Sequence, residues 1–171
     1  MPNFSDALAR LTANADVIAA LARPVSDAHA RWKPAPDRWS LLEVVCHLYD
    51  EEREDFRTRV RLTLEDPAAD WPPIHPGVWV TERAYNVQDP ATQLEAWRQE
   101  RRVSLEWLRG LHNPNWESTH TRPECGSASA GQILDAWVAH DHLHIRQLNQ
   151  LHWLWLAQTA DPFSLDYAGG W

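Results

Sequence analysis

His140 and His144 are four residues apart in His140-Asp141-His142-Leu143-His144-Ile145-Arg146-Gln147. On a helix their imidazoles lie one turn apart on one face and can converge on a single cation. Stepping by about 100° per residue puts Ile133, Trp137, Leu148, Leu151 and Trp155 around the same direction, so both histidines point toward a core. Two imidazoles buried side by side cannot both be protonated cheaply, and each needs a polar partner. A shared divalent metal meets that need; a pair of core histidines bonded to backbone or buried water is the plainer alternative. His142 points the opposite way and reads as a surface residue.

A third ligand must come from another helix. His47 is the best placed, one turn beyond Ser40-Leu41-Leu42-Glu43, at the edge of an apolar stripe that a solvent-filled cleft could reach. Glu51 and Glu54 follow on the same flank, with Asp50 near them, so carboxylates are at hand to orient a ligand or to act as a general base. The acidic run Asp50, Glu51, Glu52, Glu54, Asp55 reads more simply as a solvated face. Gln147 shares the face of His140 and His144 and could bond a ligand histidine or a bound water. Three neutral nitrogen donors with open positions suit a catalytic rather than a structural ion. Zinc and nickel come first, and iron or manganese would also fit, because imidazole does not choose among them. Cys46 adjoins His47 but points about 100° away from it, into the core.

Four helical stretches must position these groups. The first runs from about Ser5 to Ala22, and residues 24–39 form a loop with Pro24, Pro34 and Pro36. The second begins at Ser40, where the serine and Glu43 make a capping box, and continues to about Leu64. A long, proline-rich connection over 66–90 holds a short helical turn around Val80 to Tyr85. The third helix starts at Asp89-Pro90, an N-cap followed by proline at the first helical position, and ends near Leu111. After a loop over 112–127, the fourth starts near Ser127 or Ser129 and reaches about Leu156. No strand-like alternation or internal repeat appears, so the expected fold is all-α, a four-helix bundle in one domain over 1–171.

Composition narrows the function. A net charge of -8 and a pI near 5.5 argue against a phosphate-tracking surface, so no nucleic-acid partner is expected. The basic run Arg98 to Arg102 reads as a solvated helix face. The opening residues have neither a basic leader nor a continuous apolar stretch, which predicts a cytoplasmic protein with no membrane partner. The Asn3-Phe4-Ser5 sequon then carries no meaning. Cys46 and Cys125 could form at most one disulfide and match no zinc-ribbon spacing, in keeping with a reducing compartment. The 11 tryptophans read mainly as core and loop anchors, and a tryptophan-rich surface could support a homodimer.

The run Trp39-Ser40-Leu41-Leu42-Glu43-Val44-Val45-Cys46-His47-Leu48 and the stretch from Gly126 to Leu148, with His140-Asp141 and His144 followed by Gln147-Leu148, resemble the DinB/YfiT-like superfamily. Leu143 stands where that family often has another histidine, and His142 departs from it too, but neither change touches the expected ligands. The resemblance implies an up-down-down-up bundle with a long crossover between helices two and three. It implies that His47, His140 and His144 ligate the metal. It also implies an activity: a metal-dependent transferase in which a low-molecular-weight thiol, as cosubstrate, attacks an electrophilic small molecule, as in bacillithiol S-transferases and mycothiol-dependent maleylpyruvate isomerases. The alternatives are a metal-dependent hydrolase with Glu51 or Asp50 as base, and a non-enzymatic metal-binding stress-response protein.

Overall fold

In the computed structural model, which describes residues 4–122 and 126–170, the helices begin where side chains can satisfy their free backbone amides. Helix α1, Phe4–Leu21, buries Ala7, Leu11, Asn14 and Ile18 along one stripe and stops short of Pro24. Helix α3, Leu41–Asp50, starts from the expected capping box: Glu43 N donates to Ser40 Oγ at 3.1 Å and Ser40 N to Glu43 Oε2 at 2.8 Å. It runs without a break through a π-helical turn, Glu51–Phe56, into α4, Arg57–Glu65. Helix α6, Pro90–Arg109, is capped by Asp89, which accepts from Thr92 N at 2.8 Å. Helix α7, Ala130–Thr159, opens with a second capping box formed by Ser129 and Gln132.

These four rods make an up-down-down-up bundle in which α1 packs on α6 and α7, α3 on α6, and α4 on α7. The crossover between the second and third rods holds α5, Pro76–Glu82, and a 3-10 turn, Tyr85–Val87. The loop expected over 24–39 contains a short helix α2, Asp27–Arg31, capped by the Ser26 hydroxyl. The loop expected over 112–127 includes an antiparallel hairpin, β1 Thr119–Arg122 with β2 Gly126–Ser129. Its strands are four residues each and mostly polar, too short for alternation to declare them, and the hairpin feeds directly into the cap of α7. Cys125 and Asn3 lie outside the described residues, among which no helix is long and apolar enough to cross a membrane.

The core is divided. One apolar cluster gathers Ile18, Leu41, Val44, Val45, Leu48, Leu94, Trp97, Leu148 and Leu151. A second gathers Ala7, Leu11, Phe56, Val60, Leu105, Leu108, Ile133, Leu134 and Trp137. On every rod a buried polar group falls between the two: Asn14 on α1, Glu51 and Glu52 on the second rod, Arg101 on α6, Asp141 and His144 on α7. The bundle therefore has a polar waist between two apolar halves.

Candidate metal centre

The site occupies that waist. The α3 stripe turns His47 inward, leaving it 5% exposed, and α7 presents His144, 7% exposed, beside the partly exposed His140. The Nε2 atoms of His47 and His140 are 3.2 Å apart, and those of His140 and His144 are 3.1 Å apart. One ligand atom from each of the three lies within 4.8 Å of the others, a grouping that could hold a metal ion. Nitrogens bound to one ion at about 2.0–2.1 Å stand roughly 2.8–3.4 Å apart between octahedral and tetrahedral angles, so these spacings fit. The chemistry of the donors fits as well, because three ring nitrogens facing one point cannot all be satisfied by protons they share.

Burial keeps the donors neutral. His47 is pushed down to about 3 by burial and then by the charge His144 would carry. His140 is pushed down to about 2 by burial, by both neighbouring histidines and by Arg101. Burial also lowers His144, opposed by its bond to Gln147 and by Asp141. All three lone pairs are thus available at neutral pH.

The surroundings orient the rings. His144 Nδ1 lies 2.8 Å from Gln147 Oε1; donating its proton there fixes the tautomer that leaves Nε2 bare. On the far side of His47, Nδ1 has no hydrogen-bond partner and faces Glu51 Oε1, equally unpartnered, at 3.9 Å. Glu51 is raised to about 8 by burial and by the carboxyl of Asp55. It therefore stands behind a ligand rather than in front of the cluster. Asp50 turns away altogether: Tyr85 donates its hydroxyl proton to Asp50 Oδ2, and Arg83 lies 2.8 Å from the same oxygen, in a separate pocket of about 160 Å³. Cys46 belongs to this side too, with Sγ 3.8 Å from Tyr85 O, as its core assignment anticipates.

The solvated-face reading of the acidic run is overturned. Asp50, Glu51, Glu52 and Asp55 are all buried, because the π-helical turn rewinds the rod and because arginines meet them: Arg83 at Asp50, Arg101 at Glu52, Arg59 at Asp55. Glu54 alone keeps the expected partial exposure. Arg101 itself, expected on a solvated face, is 2% exposed. No local pattern around Gln99-Glu100-Arg101 distinguishes it from Arg98 and Arg102; the one available signal was the four- and seven-residue spacing that joins it to Trp97, Leu94 and Leu108 on the inward stripe.

The Trp39 ring lies against His47, 4.8 Å between centroids, and walls a cleft of about 300 Å³ also lined by Arg38, Gln147, Gln150, Leu151 and Leu154. The cleft thus adjoins the site through Trp39 and Gln147.

A model of the DinB superfamily matches residues 10–148. Among solved structures, YfiT from Bacillus subtilis, described as a probable metal-dependent hydrolase with an unusual four-helix bundle topology, superposes with a TM-score of 0.76 at 18% identity, covering 86% of this chain and 85% of that one. A search of curated proteins finds no sequence match.

Proposed function

Since this chain belongs to the DinB superfamily, we propose that it is a divalent-metal-dependent transferase that activates a low-molecular-weight thiol for attack on an electrophilic small molecule. The observation behind the reading is the convergence of three neutral imidazole nitrogens that no fourth protein donor closes among the described residues, the arrangement of a catalytic rather than a structural ion. A bound cation there would supply Lewis acidity, bringing the pKa of a coordinated thiol or water toward neutrality. The chain's own part is to present His47, His140 and His144 as uncharged donors, to hold the His144 tautomer through Gln147, and to admit the small molecule along the cleft beside Trp39. The cytoplasm, where low-molecular-weight thiols stay reduced, is the compartment this reading requires.

The placement of the carboxylates favours a thiol over water. A water nucleophile gains from a general base within hydrogen-bond reach, yet Glu51 lies behind His47 and Asp50 is held by Tyr85 and Arg83. A thiol begins near pKa 8.5 and depends less on such a base. Hydrolysis is the second reading, supported by the description of YfiT.

Purified protein should carry about one divalent ion per chain, and His144→Ala should lose it while staying folded; equal metal in both would remove the basis of either reading. Incubated with a thiol and a haloarene, the loaded protein should consume thiol and the chelated protein should not. Ester or amide turnover without thiol would instead select hydrolysis.

A further inference from the structure

Arg101 lies at the centre of the waist, and each of its five N–H donors has an acceptor. Nε and Nη2 grip Glu52 at 2.9 and 2.8 Å, Nη1 and Nη2 grip Asp141 at 2.8 and 2.7 Å, and the remaining Nη1 proton meets Leu11 O at 3.3 Å. Trp137 Nε1 donates to Glu52 at 3.2 Å and Asn14 Nδ2 to Asp141 at 3.3 Å. One guanidinium therefore ties α1, the π-helical turn, α6 and α7 together in two bidentate pairs, a geometry that lysine cannot reproduce.

Burying three charged groups is a poor route to stability, since well-packed apolar residues of similar volume often do as well or better. What the bridge supplies is position. Glu52 lies on the rod that carries His47, and Asp141 directly follows His140 on α7. Phe56 fills the gap, stacked on Trp137 with centroids 5.7 Å apart and tilted against His140 at 4.9 Å. Two carboxylates against one guanidinium also leave one negative charge in excess beneath the histidines.

We propose that the Arg101–Glu52–Asp141 bridge is a positioning device for the histidine cluster, which fixes His47 against His140 and His144 and thereby sets the cluster's affinity for a divalent cation. The inference rests on reading the cluster as a cation site. Partners that orient ligands typically change metal affinity by about 10–100-fold when removed, and that is the loss expected here.

The test titrates the chelated full-length protein with zinc, nickel and cobalt ions, reading affinity by calorimetry and donor geometry by the visible spectrum of the cobalt form. Glu52→Gln and Asp141→Asn keep the shape of the bridge and remove one charge each; Arg101→Lys keeps the charge and breaks the forks. All three should bind at least about tenfold more weakly, and Arg101→Lys should also shift the cobalt bands. Trp79→Ala, which opens a separate apolar cluster between α5 and α3, controls for lost stability and should bind as the wild type does. Should Arg101→Lys fail to fold, the two amide variants with native circular dichroism carry the test. Folded variants that match wild-type affinity within about twofold would overturn the inference alone, whereas a wild type that binds none of these ions would overturn the cation reading and the inference with it.

Discussion

At the scale of single residues, the histidines hold a protonation state that the unfolded chain would not. His47 and His140 lie far below the ordinary value near 6.5, at about 3 and about 2. Above pH 6.5 both the folded and the unfolded chain leave them neutral, and they contribute nothing to pH dependence. Below it the unfolded chain takes up protons that the folded chain refuses, so stability falls as the pH drops. The slope is up to about 1.4 kcal/mol per pH unit for each histidine. Glu51, raised to about 8, works in the opposite direction between about pH 4.5 and 8, so urea unfolding of chelated Glu51→Gln protein at pH 7.5, 6.0 and 5.0 should show the decline, and a flat profile in that variant would mean that the rings are not held neutral. His140 and His144 were legible from spacing alone, because a four-residue step on an apolar face is a purely local pattern. Glu51 was legible as a neighbour but not in its role, since which side of His47 it takes depends on how the rod is wound.

At the scale of elements, the starts of the rods could be read and the winding between them could not. Ser40, Asp89 and Ser129 announce helix starts through side chains one turn away. The π-helical turn has no such marker, and it is what brings Glu51, Glu52 and Asp55 inside. The two capping boxes make a comparison possible. The Ser129 box is exposed, whereas Ser40 is buried and its hydroxyl also donates to Asn86 Oδ1 at 2.7 Å, pinning the crossover to the start of α3. Ser129→Ala should cost about 1 kcal/mol. Ser40→Ala should cost about 1 kcal/mol more, because it also removes the partly buried bond to Asn86. Equal losses in chemical denaturation would contradict the anchoring role of Ser40.

At the scale of the whole molecule, two apolar halves supply the burial and a polar layer between them holds the histidine cluster. The number of rods followed from proline-rich breaks and apolar periods, and their up-down-down-up order from the family resemblance. The waist did not, because its members are distant in sequence: Arg101 and Asp141 are 40 residues apart and Arg101 and Glu52 are 49 apart. An ion held at the waist would join the second rod to α7 through His47, His140 and His144 and should stabilise the fold. At a free concentration about 100 times its dissociation constant, the gain is about 2.7 kcal/mol, or a rise in Tm of roughly 5–10 °C for a chain of this size. His144→Ala should show no such rise, and a wild type whose melting ignores every divalent ion would contradict the role given to the waist.

On the proposed thiol-transfer reading the protein would meet electrophiles and would have to survive them. Cys46 directly precedes His47, and an accessible thiolate there would be alkylated before any cosubstrate. Burial, aided by the charges of Asp50 and Glu43, instead pushes its thiol up to about 12, and the side chain is 2% exposed. Nucleophilicity resides in the thiolate, so this cysteine is chemically silent at neutral pH. Under that chemistry, the burial of Cys46 would guard the chain against suicide inactivation at the residue beside His47.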